Sequence, residues 1–218
     1  MLKPFLAQST QRCLICTQWD SAFSIPLCKS CVRSIKLALR PKSTHIPESG
    51  FFEIISLFEY SPSVSQLIRR LKFQPTLNRD TTALLNSVAE YLDPSALTQC
   101  DLICPIPSSS LRCLQQSDLG FAFASSIAIA HNRILAPTAL LKHSKIFNPQ
   151  QKFKSHQARL KRAHPSQQSF KVCADLPQKD ILLIDDVCTT GATLLASKAA
   201  FEASGYSVKR AVVLASRF

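Results

Sequence analysis

The sequence predicts an α/β fold, a parallel sheet flanked by helices with a small four-cysteine segment ahead of it. Three observations carry this. Apolar runs of strand length alternate with longer segments of helical apolar spacing. The clearest run, Ile181 to Ile184, leads into two carboxylates, a turn rich in small hydroxyls and then an Ala/Leu-rich helix. That is the strand–turn–helix order of a parallel α/β unit. Finally, four of the nine cysteines stand in two CxxC pairs near the start of the chain.

At 218 residues the chain has room for one main domain and a small appendage. We divide it into a zinc-finger-like segment, 1–42, and a main domain, 50–218. No apolar run approaches the ~18 residues that span a membrane. Met1 to Thr10 holds no apolar core of a secretory leader. The expectation is a cytoplasmic protein with no membrane insertion. Its 26 Lys and Arg against 14 Asp and Glu give a net charge of +12, which suits anionic partners.

Taken in order, Cys13, Cys16, Cys28 and Cys31 form C-x2-C-x11-C-x2-C. Two such knuckles present four thiolates to one tetrahedral ion, so the expected ligand is a structural Zn²⁺. A redox pair is the rival reading, but no strand–helix setting surrounds these cysteines. Trp19, Phe23, Ile25 and Leu27 are the core this segment has, too little to fold without a staple. Loss of the metal is therefore expected to unfold this segment and leave the main domain standing. Cys100, Cys104, Cys113, Cys173 and Cys188 are scattered and read as small core or loop residues.

Val32 to Leu39 reads as a short helix and Pro41 to Gly50 as a turn-rich linker. FFEIISLFEY, from Phe51, is a strand ended by Pro62. Val64, Leu67, Ile68 and Leu71 place a helix over Ser63 to Lys72, and Thr81 to Leu92 is a second, closed by Asp93-Pro94. DLICPIP, Asp101 to Pro107, is a buried strand stopped by its prolines. Ser108, Ser109 and Arg112 follow, small hydroxyls and a cation at a strand's carboxyl end, a candidate pyrophosphate loop. A helix runs from Leu119 to Ala130, and a strand covers Thr138 to Leu141.

From Lys142 to His164 the chain is basic, with Lys145, Lys152, Lys154, Arg159, Lys161 and Arg162, and no Asp or Glu lies between Asp118 and Asp175. A loop over an anion site, a nucleic-acid strip and a solvated face all fit such a run. Phe147 and Phe153 make a poor stacking platform for single strands. Phe170 to Val172 is a strand. The helix from Thr193 to Ser204 stops at Gly205, and Ser207 to Leu214 closes the sheet.

The turn after Ile184 carries the chemistry. A turn entering a helix offers unpaired backbone N–H groups and a positive dipole end to a phosphate. Thr189, Thr190 and Thr193 add hydroxyls, Ala192 is small, and Gly191 permits close backbone approach. Asp185 and Asp186 would repel the phosphate but can accept hydrogen bonds from sugar hydroxyls one ring away. The pattern fits a phosphorylated sugar.

ILLIDDVCTTGATLL resembles the phosphoribosyl-diphosphate (PRPP) loop of type I phosphoribosyltransferases. That resemblance implies a type I phosphoribosyltransferase-like fold. It places the ribose hydroxyls on Asp185 and Asp186, and the 5′-phosphate on Thr189, Thr190, Gly191, Ala192 and Thr193. Mg²⁺ would come with the diphosphate. Together with the cysteine quartet, EYSPSVSQLIRRLKF (Glu59 to Phe73), DLICPIP and the basic Gln-rich stretch, the chain resembles the ComF family, also called GntX. The family implies a bacterial cytoplasmic phosphoribosyltransferase-like protein tied to natural competence, with single-stranded DNA or DNA-uptake proteins as further partners. Where the family has Arg-Gly-Phe-Asn-Gln, this chain has Leu119, Gly120, Phe121, Ala122 and Phe123, keeping Gly-Phe. That departure favours another reading, a PRPP-sensing adaptor without turnover, and the net charge and basic stretch favour a third, a single-strand DNA handling factor.

Overall fold

The structure is a computed structural model that describes residues 11–20, 27–46, 52–72, 79–100, 102–107, 118–142, 170–173, 176 and 180–217. A minimal hairpin, β1 (Gln11–Arg12) and β2 (Trp19–Asp20), opens the chain. Helix α1 (Lys29–Ala38) follows and passes directly into strand β3 (Leu39–His45). Next come β4 (Glu53–Glu59), α2 (Pro62–Lys72), α3 (Arg79–Ala89), a 3-10 turn (Pro94–Leu97) and β5 (Leu102–Pro105). Then α4 (Leu119–Ala130), β6 (Ile134–Leu135), β7 (Leu140–Lys142) and β8 (Phe170–Val172) lead to β9 (Asp180–Cys188), α5 (Ala192–Ala203) and β10 (Ser207–Ser216).

Six strands form one sheet in the order β3-β4-β10-β9-β5-β6. The pairs from β4 to β6 are parallel, and β3 lies antiparallel on β4 at the edge. The α/β expectation therefore holds, a mostly parallel sheet with helices on both faces. Its central strands are apolar on both sides, as a sheet covered on two faces requires. Leu182, Ile184, Val212 and Leu214 pack toward α1 to α4, while Leu183, Ala211 and Val213 pack toward α5 and the β7–β8 hairpin. Cys13, Ile15, Leu27, Cys28, Cys31 and Ile35 belong to the first of these clusters, so the four-cysteine unit packs into the main core.

Four expectations change. The stretch read as a linker is strand as far as His45, because an edge position tolerates Pro41, which has no N–H to donate. The acidic pair lies inside β9 and not after it, since pairing with β10 continues through Asp185 to Cys188. β10 does not close the sheet; it runs between β4 and β9. The strand expected at Thr138 to Leu141 falls at Leu140–Lys142 and pairs with β8 in a separate two-stranded sheet. Among the described residues no helix is long and apolar enough to cross a membrane.

Candidate functional site

The site is built at the carboxyl end of β9. Ile181, Leu182, Leu183 and Ile184 are at most 2% exposed, which fixes the strand's register between β10 and β5. Strand alternation then sends Asp185 and Asp186 to opposite faces. Asp186 is buried on the side of α2, whose last residue, Lys72, places its Nζ 2.7 Å from the Asp186 Oδ2. Asp185 accepts the Asp186 backbone N–H through Oδ1 at 2.8 Å. Burial and then the Asp186 charge push the Asp185 carboxyl up to about 7, against the pull of that N–H and of Lys72.

A third carboxylate stands close by. Asp118 caps α4, accepting from the N–H groups of Gly120 at 3.0 Å and Phe121 at 3.4 Å, and its charge adds to the upward push on Asp185. Gly120 is small for a reason. A Cβ there would lie 3.3 Å from Asp118 Oδ1, 3.7 Å from the Ile106 carbonyl and 4.0 Å from the Asp185 Cα. The start of α4 thus lies against the ends of β5 and β9.

The turn follows the strand at once. Thr189 and Thr190 are exposed, and Thr190 Oγ1 accepts from the Ala192 N–H at 3.4 Å. Gly191 caps α5 with φ +73°, the left-handed region that glycine enters without strain. A Cβ on it would sit 2.5 Å from Ile46 Cδ1. The cap residue supplies no side chain to the helix end, and Thr193 in the first turn is exposed. First-turn N–H groups have no intrahelical acceptor, so the arrangement can take an oxyanion. The neighbouring carboxylates can accept from hydroxyls. Cys188 plays no nucleophilic part, being buried with its thiol pushed up to about 11 by that burial.

Ser108, Ser109 and Arg112, and the basic stretch beyond Lys142, lie outside the described residues. Of the scattered cysteines, Cys100, Cys104 and Cys188 are buried, Cys173 is exposed and Cys113 also lies outside.

The sulfur ligands of Cys13, Cys16, Cys28 and Cys31 all lie within 4.8 Å of one another. Four thiolates at ~2.3 Å from one zinc would stand about 3.8 Å apart, so the set fits a tetrahedral ion. Cys28 stands at the N-cap of α1 and Cys31 in its first turn, which presents both from one helix end. The Cys13 thiol is pushed up by burial but drawn further down, to about 6, by the backbone N–H groups of Cys28, Cys16 and Ile15. Cys31 is pushed up by burial and by its sulfur neighbours. A bound dication removes that mutual opposition. The four cysteines can therefore hold a metal ion of zinc's kind.

Lys72 and Asp118 were not singled out as site residues in the sequence. The sequence leaves Lys72 open between reaching the site and ending its helix. The signal for Asp118 was present, an Asp immediately before an apolar helix, but nothing local tied that helix start to β9.

No protein-family model and no curated protein matches the sequence. Among solved structures, the orotate phosphoribosyltransferase from Aeropyrum pernix is similar at 15% identity and a TM-score of 0.43, over 86% of this chain and 80% of that one.

Proposed function

We propose that this chain binds PRPP and is a phosphoribosyltransferase-like protein of the ComF kind. One observation carries the reading. Strand β9 carries two carboxylates near its end and runs straight into a turn whose left-handed cap residue, Gly191, supplies no side chain to the α5 terminus. The turn supplies backbone and threonine donors for a 5′-phosphate, and the carboxylates accept from the ribose diol. Lys72 holds Asp186 in place until the diol arrives. Mg²⁺ would come with the diphosphate, its shell completed by ribose hydroxyls and water, and would neutralise charge there. In this reading Ser108, Ser109 and Arg112 hold that diphosphate, and a zinc ion bound by the four cysteines is structural. The resemblance extends the proposal to natural competence, with DNA or uptake proteins as partners.

A second reading, PRPP sensing without turnover, is favoured by Asp118. It adds negative charge beside Asp185, immediately before the stretch that departs from the family's Arg-Gly-Phe-Asn-Gln. Calorimetric titration with PRPP and Mg²⁺ tests binding, and pyrophosphate release with candidate bases separates the two readings. Asp185→Asn with Asp186→Asn is expected to weaken PRPP by roughly 2–5 kcal/mol, two charge-assisted hydrogen bonds with imperfect additivity. The fold should persist, because the change removes a buried repulsion. Unchanged PRPP affinity in this variant would refute the diol clamp.

A further inference from the structure

A cavity of about 780 Å³ opens at the carboxyl ends of β4 and β10, beside the start of β3. Its volume is in the range of small-molecule sites, ~300–1,000 Å³. Ser216 pairs with Cys188 on one side and Glu59 on the other, so this cavity lies beside the β9 turn without sharing its residues. Arg40, Lys42 and Arg217 line it, with Glu59 the acidic counterpart, leaving a surplus of positive charge. No ion pair to Arg40, Lys42 or Glu59 occurs among the described residues.

One of these cations is held by an aromatic side chain. Arg217 lies 4.5 Å above the centre of the Tyr60 ring and donates from an Nη to the Tyr60 hydroxyl at 3.2 Å. Tyr60 is in turn 2.9 Å from Ser65 Oγ on α2. A guanidinium packed over an aromatic ring on an exposed residue can stack with a further planar ring, and its edge can fork a phosphate. Arg40 and Lys42 stand two residues apart on the edge strand and bring two further charges to the same space.

We propose that this cavity binds a nucleotide-class ligand, a planar base stacked on Arg217 with its phosphate on Arg40 and Lys42. It is a second site, independent of the sugar–phosphate turn.

The probe is 2′-deoxyadenosine 3′-monophosphate, which has neither the ribose diol nor the 5′-phosphate that the β9 turn is read to hold. Calorimetry on the full chain should show one molecule bound, with an affinity that saturating ribose 5-phosphate and the Asp185→Asn, Asp186→Asn change leave unaltered. Arg40→Ala with Lys42→Ala, both on exposed edge positions, should weaken it about tenfold or more. Arg217→Lys, which keeps the charge but not the plane, should weaken it too. No binding, unchanged affinity in the Arg40→Ala, Lys42→Ala variant, or displacement by ribose 5-phosphate would overturn the proposal. Equal affinity for inorganic phosphate would overturn the base-binding half. These outcomes are separate from the PRPP titration, which reads only the turn.

Discussion

The four-cysteine unit and the β9 turn are both small polar constructions, and they are held in opposite ways. At β9 the scaffold comes first. Four successive residues are almost wholly buried, and the turn they project has donors left over for a ligand. At the N-terminal unit the polar groups come first. Its hairpin strands are two residues long, and its sulfurs crowd together within reach of one ion. One site can exist empty because the sheet holds it. The other, if it holds a metal, would draw its shape from that ion.

The largest break in that comparison is Cys16→Ser. It should abolish binding of one zinc per chain, seen by metal analysis. The sequence alone suggested that the main domain would stand unaffected. The shared core now predicts that the whole chain melts lower, by about 10 °C for a loss of about 4 kcal/mol. A single thermal transition at the wild-type temperature in metal-free protein would show the unit to be independent after all.

Gly191→Val attacks the other side. Its backbone strain alone costs about 1–3 kcal/mol, and its side chain must displace Ile46. Denaturant unfolding should register the loss, and titration should show PRPP binding gone. The metal content should stay at the wild-type level.

Lys72→Ala leaves Asp186 buried beside Asp185 without its cation. About 1–3 kcal/mol of stability should be lost. Asp186→Asn in the same chain should recover most of it, and a double-mutant cycle measures the coupling.

The last effect is in pH. Asp185 gives up its proton near the ordinary value of 3.8 when unfolded and at about 7 when folded. Between those values the folded chain binds more protons, so stability falls as pH rises through the window and levels off above it. Asp185→Asn should flatten that slope in denaturation curves taken across the window and should raise stability at pH 8.

What the sequence disclosed follows from the same contrast. The Ile181 to Ile184 run was legible because a strand buried on both faces needs no alternation, and the helix from Leu119 to Ala130 was found at its full extent. The cysteine spacing was enough to foretell the four-sulfur cluster. β3 was hidden because Arg40, Pro41, Lys42 and Ser43 carry turn residues and charge, and its existence depends on β4 offering an open edge. Lys72 and Asp118 were hidden for a related reason. Each comes to the acidic pair through packing between elements far apart in the chain, which no local pattern records.

The direct passage of α1 into β3 has one more consequence, for solubility. β3 presents Arg40, Pro41 and Lys42 outward, the charges and proline that discourage one sheet edge from pairing with another. The strand it pairs with, β4, carries the buried Ile54, Leu57 and Phe58. The helix that leads into β3 begins at two of the four clustered cysteines. A metal ion held there would therefore also help keep the guarded strand paired along the sheet edge, beside the apolar one.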